Sequence, residues 1–158
     1  MEMDEANRIA ELLRKTYCGE PWHGPSLRET LVGVTPEMAY SQLSGGLHMI
    51  SVIVDHIAFW MEIVRQRLDG KIVEPEPEDD WCAPTEMTEN AWDKTLARME
   101  TAFESLVNRI RVLTPAQLES PASGKNYDNY TMLHGIIDHN VYHSGQIALL
   151  RKGLIQRK

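Results

Sequence analysis

The sequence predicts an all-α fold, a four-helix bundle with long connections and two short extra helices. Three observations carry this. Four long segments repeat apolar residues at the helical spacing of three and four, and no segment alternates polar with apolar residues as a half-buried strand does. The connections between the four segments also run well beyond a tight turn. A 20-residue helix is about 30 Å long, whereas 15 extended residues span up to about 50 Å, so each connection can cross the bundle from end to end. Simple up-down topology is therefore not forced.

Residues 4–17 place Ala6, Ile9, Ala10, Leu13 and Tyr17 on one helical face with Glu11, Arg14 and Lys15 outside it. Cys18-Gly19-Glu20-Pro21 ends that helix. Trp22-His23-Gly24-Pro25-Ser26-Leu27 follows neither period and reads as an ordered loop in which Trp22 and Leu27 need burial. Thr35-Pro36-Glu37 supplies an N-cap, a proline at the first helical position and an acid in the first turn, predicting a short helix over 35–43 that Gly45-Gly46 stops. The second long helix spans 48–68, with Met49, Val52, Ile53, Phe59, Trp60 and Ile63 around His56; Asp69-Gly70 ends it. Residues 72–84 hold three prolines and five acids and read as an extended linker. Their acid run, Glu76 to Asp80, reads as a solvated loop that Trp81 anchors to the bundle. Residues 85–113 show the clearest period, with Trp92, Leu96, Met99, Phe103, Leu106, Ile110 and Leu113 at the spacing of a helix packed along its length. A second Thr-Pro start, Thr114-Pro115, opens the other short helix, and the last long helix runs over 130–152 until Gly153.

The chain has 158 residues, a length that suits one domain over 1–158 and a core that stands without disulfides or a structural metal. The formal charge of −7 and the lack of any Lys/Arg stripe argue against nucleic acid as a partner. No apolar run approaches the ~18 residues of a membrane span, and no secretory signal opens the sequence, so no membrane association and a cytoplasmic location are expected. Cys18 and Cys82 follow no metal or redox spacing and read as reduced bystanders.

Within the last helix, His139 and His143 lie about 40° apart on one face and roughly 6 Å apart along the axis, so they can share one metal ion. Met132, Gly135, Ile136, Gln146, Ile147 and Leu150 share that face, which makes it mostly apolar. His134 stands about half a turn away from His143 and reads as a surface or capping histidine. His56 is the lone polar group on its own stripe. It is either a core histidine satisfied by a hydrogen bond or a ligand that converges with the other two on one ion. Three imidazoles would leave such an ion its full charge and an open position, the pattern of a catalytic site. His48 falls on the shoulder of the His56 face, as a rim residue.

Several blocks resemble the DinB-like superfamily of metal-dependent four-helix bundles: Trp22 to Leu27, His56-Ile57-Ala58-Phe59-Trp60, Tyr130-Thr131, Gly135 to His139, and Tyr142 to Ile147. The resemblance implies that His56 from the second helix and His139 and His143 from the last bind a divalent metal, zinc or nickel first and iron or manganese next. Met49, Ser51 and Val52 depart from it, standing where relatives often carry Ser, Trp and Glu. Members of that family include transferases using low-molecular-weight thiols and a thiol-dependent maleylpyruvate isomerase. A transferase or hydrolase acting on a small molecule, with a thiol as substrate or co-substrate, is thus implied, as is a homodimer. Two further residues are candidates for catalysis. Gln146 either bonds a bound water or substrate or packs between helices, and His23 either serves as acid or base at the open side or is an exposed loop histidine. The competing reading is a non-catalytic bundle whose histidines are structural or bind metal for sensing or dimerisation.

Overall fold

A computed structural model describes residues 4–43, 45 and 48–156, and their regular elements are eight helices. In chain order these are α1 (Glu5–Cys18), α2 (Leu27–Leu31), α3 (Pro36–Ala39), α4 (Ile50–Leu68), α5 (Pro77–Asp80), α6 (Glu89–Arg111), α7 (Pro115–Glu119) and α8 (Asn129–Ile155). The all-α bundle is as predicted. Its short helices number four rather than two, because α2 and α5 form in stretches that read as loops.

Local chemistry starts the helices. Asp4 accepts a hydrogen bond from the Asn7 N–H at 2.8 Å, Thr88 from Ala91 at 3.1 Å and Asp128 from Thr131 at 2.8 Å, each satisfying a donor that the first turn leaves without a partner. Both Thr-Pro starts are present, and α7 adds a reciprocal Thr114–Gln117 capping box. The helix from Pro36 stops at Ala39, short of Leu43. Gly46, one of the two glycines expected to end it, lies outside the described residues.

Two expectations are corrected. Trp22 is fully exposed, whereas Leu27 is buried. The Ser26–Glu29 capping box starts α2 at Leu27 and turns Leu27 and Thr30 inward, so α2 covers the core and the preceding loop does not. Gly153 does not end the last helix, which continues to Ile155. A Cβ at Gly153 would stand 3.0 Å from Leu43 Cδ1, so the glycine admits a close approach by that side chain.

Helix α4 packs against α6 and α8, and α1 packs against the same two. The long helices α1 and α4, and likewise α6 and α8, therefore stand across the bundle from each other, which suits the long connections between them, whereas α4 and α6 are joined by a long connection although they pack side by side. The core draws Leu13 and Tyr17 from α1, Ile57 and Met61 from α4, Phe103, Leu106 and Ile110 from α6, and Leu133 and Ile147 from α8, all fully buried. Each such apolar side chain contributes on the order of 1.5–3 kcal/mol. Among the described residues, no helix is long and apolar enough to cross a membrane.

Candidate metal centre

The seam between α4 and α8 brings three histidines together. His56 Nε2 lies 2.9 Å from His139 Nε2 and 3.1 Å from His143 Nε2. His56 and His143 are buried, and His139 is partly so. Among the described residues they form the group of His, Cys, Asp or Glu able to hold a metal ion, with ligand atoms all within 4.8 Å of one another.

The outward nitrogens decide what this group can do. His56 Nδ1 is 2.9 Å from Asp80 Oδ1, His143 Nδ1 is 2.6 Å from Gln146 Oε1, and His139 Nδ1 is 3.3 Å from Asn140 Oδ1. Each oxygen is an acceptor, so each Nδ1 carries the proton and donates it outward, which leaves three Nε2 lone pairs aimed at one point. Three lone pairs at that spacing repel unless a cation sits among them. Protons are disfavoured in that role: burial, reinforced by His143 and His56, lowers His139 to about 4, and burial also lowers His143. The residues thus fit a divalent metal with an affinity for imidazole, such as zinc or nickel. Donors around a tetrahedral ion at about 2.1 Å stand roughly 3.4 Å apart, only a few tenths of an ångström wider than the two distances from His56 Nε2.

The acid run supplies one of the orienting groups. Glu76, Glu78 and Asp79 are exposed, as expected of a solvated stretch, but the turn of α5 brings Asp80 in against α4. There Asp80 Oδ1 also accepts from Trp60 Nε1 at 2.6 Å. Trp81, the residue after it, stacks between His56 at 3.8 Å and His48 at 4.0 Å and covers the group from outside. Asp80 and Asn140 were not singled out by spacing. Asp80 is 24 residues from His56 inside an aperiodic stretch, with no sequence signal to find it. Asn140 is next to His139 and buried, and burial is the only mark it bears.

His56, His139 and His143 meet as predicted. Gln146 lies beside them and bonds His143. His23 is exposed on the loop between α1 and α2 and is outside the group. His134 is likewise outside it, but is half-buried against Tyr130, with ring centroids 4.5 Å apart, rather than at the surface. Both cysteines are free and take no part.

A cleft of about 270 Å³ opens beside His139, walled by Trp60, Val64, Met132 and Ile136 with Arg67 among its lining.

The DinB superfamily model matches residues 22–147. The chain belongs to the DinB superfamily. The matched span reaches from the loop before α2 to Ile147 and contains all three histidines, so the resemblance read from the sequence holds across most of this DinB-superfamily chain. Comparison with curated proteins and with solved structures gave no match. Family membership and the histidine group together fit a metal-binding DinB-like protein.

Proposed function

We propose that this chain is a divalent-metal-dependent enzyme acting on a small molecule, with a low-molecular-weight thiol as substrate or co-substrate. The observation that carries the reading is the convergence of three Nε2 lone pairs whose Nδ1 partners are all oxygens. His56, His139 and His143 would hold the metal. Held by neutral ligands, a divalent cation keeps its charge and makes a thiol or water easier to deprotonate at neutral pH.

The chain's own residues do the rest. Asp80, Asn140 and Gln146 fix the tautomer and tilt of the imidazoles, so Gln146 acts here as a positioning residue. Trp81 shields the outer face of His56 from water. The cleft at His139 leaves the other side accessible to a substrate. A cytoplasmic homodimer is the form we propose for the protein, and exposed Tyr142 and Leu149, seven residues apart on α8, support association.

Elemental analysis of protein purified without a histidine tag tests the metal. We expect near-stoichiometric zinc, nickel, iron or manganese that is lost in His56→Ala and His139→Ala; protein that takes up none on addition would overturn the reading. An electrophile panel with several cellular thiols then compares wild type with His143→Ala. Equal turnover removes the metal from the chemistry, and bound metal with no turnover leaves the non-catalytic metal-binding bundle.

A further inference from the structure

The cleft beside His139 contains a group that the metal reading does not use. Arg67 is only 5% exposed. Its Nη2 donates to the Val73 carbonyl at 2.9 Å, but its Nε is buried and has no hydrogen-bond partner among the described residues. A guanidinium has five N–H donors and a permanent charge, and a buried donor without an acceptor is unfavourable. Its place in the last turn of α4 suits the charge, because the helix C-terminus is negative there, yet leaves the N–H unsatisfied. Glu74, whose pKa is lowered chiefly by its bond from Lys125 and only lastly by the charge of Arg67, is already taken by Lys125, whose Nζ lies 2.7 Å from both its oxygens.

Arg67 and His56 are eleven residues apart, about three turns of helix, so they share one face of α4. Trp60 links the two ends of the cleft. Its ring is 6.2 Å from that of His139, and Arg67 Cζ stands 5.8 Å from its centroid. The volume of about 270 Å³ falls just below the usual range for drug-sized ligands, about 300–1,000 Å³, and suits a small molecule.

We propose that this cleft binds an organic acid, a small substrate whose carboxylate bonds Arg67 while its apolar body lies along Trp60, Val64, Met132 and Ile136 toward His139. A carboxylate matches the planar guanidinium, and a small turn of the Arg67 side chain toward the cleft would give the buried Nε the acceptor it lacks. The proposal rests on the metal reading only for which end of the substrate reacts; the binding of the acid by Arg67 does not depend on it.

The probes are phenylacetate and its neutral amide, phenylacetamide, titrated into the full chain both as isolated and after chelation, so that carboxylate bound to a metal is separated from carboxylate bound to Arg67. Nitrogen-15 NMR follows the Arg67 Nε–H resonance, assigned by its loss in Arg67→Lys. Phenylacetate should move that resonance with and without chelation and bind at least about tenfold more tightly than the amide, and Arg67→Met should remove the difference. Should Arg67→Met not fold, Gly135→Leu gives a second measurement. Gly135 lines the cleft, and a Cβ there meets nothing within 4 Å, so the larger side chain grows into the space and should block phenylacetate while Arg67 stays in place. Equal binding of acid and amide, or an Nε–H resonance that stays still, would overturn the proposal. Failure to find metal alongside intact phenylacetate binding would strike the enzyme reading alone.

Discussion

Helix α4 carries two polar groups of opposite kind. On one side Asp55 and Glu62 face Arg98 of α6, whose Nη1 donates to Asp55 at 2.6 Å and whose Nε and Nη2 donate to the two oxygens of Glu62 at 3.0 and 2.7 Å. The bonds to Glu62, and the charge of Asp55, hold the guanidinium more firmly protonated than usual. On the inner side His56 meets His139 and His143, where every outward nitrogen has a partner and every inward lone pair has only other lone pairs. The first group is completed by the chain itself. The second leaves three lone pairs that a cation could complete, the difference between a candidate binding centre and a structural tie.

Breaking each group should give different signatures. The largest effect is expected for His56→Ala set beside Arg98→Ala: the first should lower metal affinity by more than about 100-fold, whereas the second should leave bound metal unchanged. Elemental analysis of the two purified variants reads this directly, and equal loss in both would erase the distinction. Next comes Asp80→Ala, which removes the acceptor that fixes the His56 tautomer and should weaken metal binding by about 10–100-fold without abolishing it. A competitive chelator titration measures that step.

A third expectation concerns pH. His139 and His143 titrate lower in the folded protein than their ordinary value near 6.5, His139 at about 4, both chiefly through burial. As pH falls below about 6.5 the unfolded chain takes up protons that the metal-free folded chain resists, so stability is present above that pH and declines toward about 4. Urea midpoints of metal-free protein at pH 7.5 and 5 should show the decline, and His139→Gln should shrink it. Smaller still is the cost of Arg98→Ala to stability, about 1 kcal/mol or less, because its pairs are partly exposed. At the bottom of the scale, a chelator should leave helical circular dichroism unchanged, since Phe103, Leu106 and Ile110 pack the core without help from the histidines.

Much of the bundle and the meeting of the three histidines was legible because helical periodicity reports directly on which side chains share a face. The run from Trp92 to Leu113 is buried as its spacing predicts apart from half-buried Leu96, and His139 and His143 meet His56 because all three lie on apolar stripes. What periodicity cannot report is how an aperiodic segment folds back. Asp80 was hidden among acids that do remain solvated, and Trp22 looked like a residue in need of burial until α2 covered the core in its place. Gly153 has the form of a helix stop, but a tertiary neighbour, Leu43, explains it. Arg67 was within reach of the period, three turns beyond His56 on the same face, but a charged residue at a helix end reads as surface until its burial is seen.

The indole of Trp81 is held face to face between two imidazoles, His48 and His56, within 4.0 Å of each. An indole's light emission responds to charge placed against its rings, so an event that alters the electron density of His56 should register in the brightness of Trp81. Trp60 also meets His56 and His139, so the emission of these two indoles together should gauge the histidine centre without dye, label or substrate.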